Sequence, residues 1–104
     1  MASGILGQIV GTGSEADVYT CPSSTLAVVN VSIINNDGTN GESVVLRLIA
    51  SGDTSAAKHN LENLTLPSNG VLERTNIVMG AGDKITINAS SDVSISAFGI
   101  EESV

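Results

Sequence analysis

The sequence predicts an all-β fold, a two-sheet antiparallel β-sandwich of about seven to eight short strands with jelly-roll or immunoglobulin-like topology. Three observations carry that reading. Short β-branched apolar runs recur along the chain, clusters of Gly, Asn, Asp, Ser and Pro separate them, and within the runs apolar and polar residues alternate. The apolar residues are mainly Val, Ile, Leu and Ala, and Tyr19 and Phe98 are the only aromatics, a composition that suits a pleated sheet.

Residues 1–15 read as an extended N-terminal arm or a first edge strand, and residues 16–104 as the sandwich domain. Gly4, Gly7, Gly11 and Gly13 alternate there with Ile5, Leu6, Ile9 and Val10. The segment is too rich in glycine for a helix and too apolar for a solvated tail. Ile5, Leu6, Ile9 and Val10 are therefore the candidate contacts with another protein chain. From Asp17 the chain reads as a short strand ending at Pro22, which cannot donate into a central ladder.

The run 25–34 places Ala27, Val29, Val31 and Ile33 on one face and Asn30 and Ser32 on the other, with Leu26, Val28 and Ile34 partly covered at the ends. Residues 35–42 read as a hairpin loop around Asp37-Gly38. The return strand, 43–50, turns Val44, Leu46 and Leu48 inward and Arg47 outward. Residues 55–58 are predicted to form one helical turn capped by Asp53 or Thr54. Strands follow at 63–66, 71–74, 84–89 and 93–100, with turns at 67–70 and 80–83 and with Ile85 and Ile87 facing in.

A chain of 104 residues is one domain. Four basic residues against eleven acidic ones give a net charge of −7, which repels a phosphate backbone, so nucleic acid is not an expected partner. One cysteine excludes an intrachain disulfide. No apolar run approaches the ~20 residues of a membrane span, and no basic residue opens the chain as in a signal peptide. Synthesis in the cytoplasm is expected.

Reactive chemistry is sparse. Cys21 and His59 lie in different segments, with no nucleophile motif around Cys21, and no serine sits in a Gly-x-Ser-x-Gly elbow. The Asn35–Glu42 loop is rich in oxygen ligands, but its spacing is not that of a helix-flanked calcium loop, and turn composition accounts for it. Gly80–Asp83 lacks the lysine and helix of a phosphate cradle. Tyr19 and Phe98 are expected to anchor the core. No catalytic, cofactor-binding or metal residue is assigned.

Segment 17–36, DVYTCPSSTLAVVNVSIINN, resembles a recurrent opening of small virion-associated proteins of tailed bacteriophages. There, a Leu/Val-Tyr-Thr-Val-Pro-Ala-x-Thr stretch leads into a Val-rich strand that ends in an Asn-containing turn. Residues 64–73, LTLPSNGVLE, look like their Leu-Pro-Ala-Asn turn, and 81–85, AGDKI, like their Ala-Gly-Asp-x-Val turn. Residues 93–101, VSISAFGIE, resemble their final strand, and Cys21 stands where they carry Val before proline. The resemblance covers about residues 16–101.

That resemblance implies a β-sandwich building block of a virion, made in the host cytoplasm. Its first reading is a capsid decoration (cement) protein, bound in many copies to the outer shell and stabilising contacts between capsid subunits. The implied partners are the major capsid protein and copies of itself as a homo-oligomer, with no nucleic acid and no membrane. The alternative is a tail, neck or fibre component, including a receptor-binding part. The resemblance implies no enzyme and no cofactor.

Overall fold

In the computed structural model, which describes residues 3–104, the alternating runs become eight strands. They are β1 (Ser3–Val10), β2 (Glu15–Thr20), β3 (Thr25–Asn35), β4 (Glu42–Ile49), β5 (Asn60–Leu66), β6 (Val71–Met79), β7 (Lys84–Asn88) and β8 (Val93–Ser103). A single 3-10 turn, Ala57–His59, lies between β4 and β5.

The pairing follows one rule. β1 pairs with β8, β2 with β7, β3 with β6 and β4 with β5, all antiparallel, as in one long two-stranded ribbon. Folding the ribbon over adds β3 beside β8 and β4 beside β7. The result is two four-stranded sheets, β1-β8-β3-β6 and β2-β7-β4-β5. Of the two sandwich topologies expected, this is the jelly roll.

Every connection except that between β4 and β5 therefore crosses from one sheet to the other. The expected hairpin at residues 35–42 is one of these crossings, because β3 and β4 belong to different sheets. Its Asp-Gly pair favours a turn without dictating whether the next strand lies beside the first or across the core from it.

Alternation places the core. Ala27, Val29, Val31 and Ile33 of β3 meet Val93, Ile95 and Ala97 of β8 on the inner face of one sheet, all buried. Val44 and Leu46 of β4 and Ile85 and Ile87 of β7 face them from the other sheet, also buried, with Leu48 packed at the margin. Burying such side chains is worth about 1.5–3 kcal/mol each before ordering costs.

Three local features differ from the expectation. β6 runs on to Met79 rather than stopping near residue 74. Its pairing steps from Val29–Ile77 to Val31–Arg74, so Thr75 and Asn76 form a bulge, with Asn76 at φ 58°, and the period of two is lost there. Phe98 is not a core anchor but 37% exposed, because Ala97 takes the inward phase of β8. Tyr19 is buried.

The helical turn is a 3-10 turn capped by neither Asp53 nor Thr54. His59 Nδ1 instead accepts from the Ala56 N–H at 3.1 Å. That fixes the tautomer, and Nε2–H donates to Asp53 at 3.2 Å.

The N-terminal segment, read as an arm or an edge strand, is not set apart from the sheets. It is an edge strand of the sandwich, paired along its length with β8. Gly7 and Gly11 are required by close approaches to the chain's own backbone, whereas Gly4 and Gly13 sit at positive φ in open space. A Cβ at Gly7 would stand 2.4 Å from the Val18 carbonyl oxygen, and one at Gly11 would stand 2.1 Å from that of Ser90. Composition that reads as an adaptable arm is thus a fitted edge.

Candidate functional site

The outer face of the β1-β8-β3-β6 sheet is the most distinctive surface of the molecule. Cross-strand partners share a side of the sheet, so the registers give the face rung by rung. One rung holds Ile100, Val28 and Val78, and the next Ile5, Phe98 and Asn30. A polar rung follows, Gln8, Ser96, Ser32 and Glu73, and then Val10, Ser94, Ile34 and Val71.

Large apolar side chains stand exposed on this face: Ile5 at 67%, Val78 at 61%, Val71 at 59%, Val10 at 57% and Ile100 at 51%. Scattered exposed residues of this kind are ordinary, but a contiguous patch on one sheet face marks an interaction surface. Only Glu73 and, at the far end of β8, Glu102 place a charge on these rungs. Asn30 straps the face together: its Oδ1 accepts from the Asn76 N–H at 3.1 Å and its Nδ2 donates to the Phe98 carbonyl.

The four residues assigned to partner contact from sequence divide between two sides of β1. Leu6 and Ile9 pack against the chain's own core. Ile5 and Val10 point out into the apolar face. The β1 bulge between Ile5 and Gly7 makes the division. Sequence reading missed the rest of the patch, Val28, Val78, Phe98 and Ile100, although strict alternation from Ala27 and Ala97 assigns each of those on β3 and β8 to the outside.

The outer face of the β2-β7-β4-β5 sheet is polar, and the segment that carries Ser55 is bound to part of it. Arg47 donates to Asn60 Oδ1 at 2.8 Å and to the Ser55 hydroxyl at 2.7 Å. Ser55 and Thr86 both donate to Glu15 Oε2 at 2.6 Å. Those two hydroxyl contacts hold the Glu15 carboxyl below its ordinary value, and Arg47 adds to the effect. The segment carrying Ser55 thereby lies on this sheet, and Ile49, on the outer phase of β4, is only 1% exposed. A shallow cleft of about 280 Å³ beside the network is lined by Gly13, Glu42, Ser43, Val45, Asn88, Ala89 and Ser90.

The chemistry-bearing side chains elsewhere hold the fold. Asn35, fully buried, donates through Nδ2 to the carbonyls of Asn40, Leu66 and Pro67 at 3.0–3.1 Å and accepts from the Asp37 N–H at 2.9 Å. It ties two crossing loops together. Asp37, Glu42 and Asp92 bring carboxylate oxygens within 4.8 Å of one another at that end. Asp37 Oδ1 already takes the Thr39 and Asn40 N–H groups, which hold its carboxyl below the ordinary range. Three carboxylates supply only part of the roughly six to eight oxygens a calcium ion takes.

Cys21 and His59 share no partner. The Cys21 thiol lies against the Thr25 and Met79 carbonyls, 1% exposed, and burial pushes its pKa up, which disfavours the nucleophilic thiolate. His59 is committed to Ala56 and Asp53. Tyr19 donates to Glu101 across the sandwich, and burial together with that carboxylate raises its pKa far above the ordinary phenol value. Among the described residues, no helix is long and apolar enough to cross a membrane. Compared with models of known protein families and with curated proteins, the chain matches none.

Proposed function

We propose that this protein is a structural component of a tailed-bacteriophage virion, acting as a capsid decoration protein that docks on the outer shell in many copies. The observation that carries the reading is the apolar, almost uncharged outer face of β1-β8-β3-β6, on a chain whose net charge is −7. The resemblance of residues 16–101 to small virion proteins names the setting. Jelly rolls serve as building blocks of viral capsids and also as lectin domains, so the fold is consistent with the reading without selecting it.

Two further points support a structural role. The residues able to do acid–base or nucleophilic work are engaged in tying loops and sheets: Glu15 to Ser55 and Thr86, His59 to Asp53, Tyr19 to Glu101. The acidic balance suits a position outside the shell, away from packaged DNA.

Quantitative mass spectrometry of purified particles tests the assignment. A copy number comparable to that of the major capsid subunit is the expected result. A handful of copies per particle assigns the protein to a tail, neck or fibre instead, and absence from particles overturns the virion reading.

A further inference from the structure

We infer that the outer face of β1-β8-β3-β6 is a self-association surface: two copies of the chain pack these faces together about a two-fold axis running along the strands, between β3 and β8. The inference sharpens one partner of the reading above, a second copy. It is tested on the isolated protein, so its failure and that of the virion assignment are distinguishable.

Three properties of the face select a second copy as the occupant. The first is area. Four strands spaced by ~4.8 Å, with the stretch from Leu26 to Ile34 rising ~3.3 Å per residue, make a face of roughly 20 by 27 Å, on the order of 500 Å² in projection. Side-chain relief raises the accessible area toward the ~800 Å² each partner contributes to a standard interface.

The second property is charge. The face offers two carboxylates and no paired cation on its rungs, so it complements neither a basic nor an acidic partner. A copy of itself brings the same neutral centre. The remaining charges lie largely on the opposite sheet and the loops, where at physiological salt screening over ~8 Å weakens their repulsion.

The third property is the order of the rungs. Rotation about an axis along the strands keeps each rung at its own height and exchanges β8 with β3 and β1 with β6. Ile100 then meets Val28 of the second copy, Phe98 meets Asn30, Ser96 meets Ser32, and Val10 meets Val71. Each rung thus falls on the same rung of the second copy, with Ile100 on Val28 and Val10 on Val71 as apolar contacts, and Phe98 on Asn30 and Ser94 on Ile34 as mixed ones. Gln8, at one edge of the hydroxyl rung of Ser96 and Ser32, meets Glu73 at the other, an amide donor opposite a carboxylate. A two-fold axis across the strands at the hydroxyl rung would instead set Glu73 against Glu73. Sheets packed face to face in this way interdigitate at ~10 Å separation with strands nearly aligned.

Sedimentation velocity over a concentration series, with circular dichroism to confirm folding, tests the proposal. The expected result is a reversible monomer–dimer equilibrium strengthened by added salt. Phe98→Asp should abolish it, and Val45→Asp on the opposite sheet should leave it unchanged. Gln8→Lys should tighten it several-fold through Glu73, and Gln8→Glu should weaken it. If either face variant does not fold, crosslinking of the single variant Ser32→Cys with a short bismaleimide gives an independent reading, since Cys21 is buried and only a second copy can supply the other thiol. Covalent dimers at low protein concentration are expected. A protein that stays monomeric throughout the series, or a dimer that survives Phe98→Asp, overturns the proposal.

Discussion

One sheet of this sandwich has an outer face that the chain partly covers itself, and the other has an outer face that it leaves bare. On β2-β7-β4-β5, a loop is drawn down by Arg47, Ser55 and Glu15, and Ile49 on the outer phase of β4 is buried. On β1-β8-β3-β6, Ile5, Val78 and Ile100 stand more than half exposed with no loop over them. The first face is largely polar, with Glu15, Asp17, Arg47 and Thr86 on its ladder, and the second is apolar, and they differ also in what lies over them. That second difference is the long β4–β5 connection, the one link that stays within its sheet and has residues to spare for covering it. A bare apolar face of this kind is a candidate interaction surface.

Truncation on the two faces gives the largest contrast. Ile49→Ala removes a side chain as buried as the core and should cost about 2–4 kcal/mol, like Leu46→Ala between the sheets. Ile100→Ala, at 51% exposure, should change the stability of the monomer by less than about 0.5 kcal/mol. Urea unfolding at low protein concentration measures all three. An Ile100→Ala penalty equal to that of Ile49→Ala would mean that the exposed face is part of the fold.

Gly11→Ala should cost about 1–3 kcal/mol, since its Cβ would press on the Ser90 and Ala89 carbonyl oxygens, 2.1 and 2.4 Å away. The close approach lies where the chain passes from one sheet to the other. Thermal unfolding reads the loss. A neutral effect would show that the edge between the sheets is loose, and would return the N-terminal segment to the status of a detachable arm.

These close approaches explain why sequence reading divided over residues 1–15. Glycines interleaved with Ile and Leu describe an adaptable arm and a tightly fitted edge strand equally well, and only the position of the Val18 and Ser90 carbonyls separates them. Elsewhere the period of two located the core strands and their inward sets, from Ala27–Ile33 through Ile85 and Ile87. It failed where the ladder itself is irregular, at the Thr75–Asn76 bulge. Topology was beyond it, because a short loop such as 35–42 spans a hairpin or a sheet-to-sheet crossing at similar length.

The candidate site was legible in part. Ile5 and Val10 are selected as partner contacts by their apolar character on a segment that reads as an arm or an edge strand. Phe98 was assigned to the core by its size, although Val93, Ile95 and Ala97 take the inward phase and alternation sends it out. The rung-by-rung patch depends on which strands become neighbours. That is set by long-range pairing and not by local pattern.

The smallest effect expected is on the partly covered face and depends on pH. Glu15 has a lowered pKa in the folded chain because Ser55 and Thr86 donate to it. A depressed carboxylate contributes stability that is fully present above its unfolded value and lost as pH falls through its folded value. The melting temperature should therefore drop on acidification through that range, less steeply in Glu15→Gln. Asp53, lowered chiefly by its hydrogen bond to His59 and then by Lys58, adds in the same direction. An unchanged pH profile in Glu15→Gln would remove the carboxylate from the forces that hold the loop down.

Side-chain footprinting tests the distinction between the faces most directly. Carbene labelling would be compared between the dilute monomer and the associated state, whether oligomer or particle. The account predicts strong protection of Ile5, Val78, Phe98 and Ile100, with labelling around Val45, Arg47 and Lys58 unchanged. Protection confined to the β2-β7-β4-β5 side, or unaltered labelling of the apolar rungs on association, would contradict it.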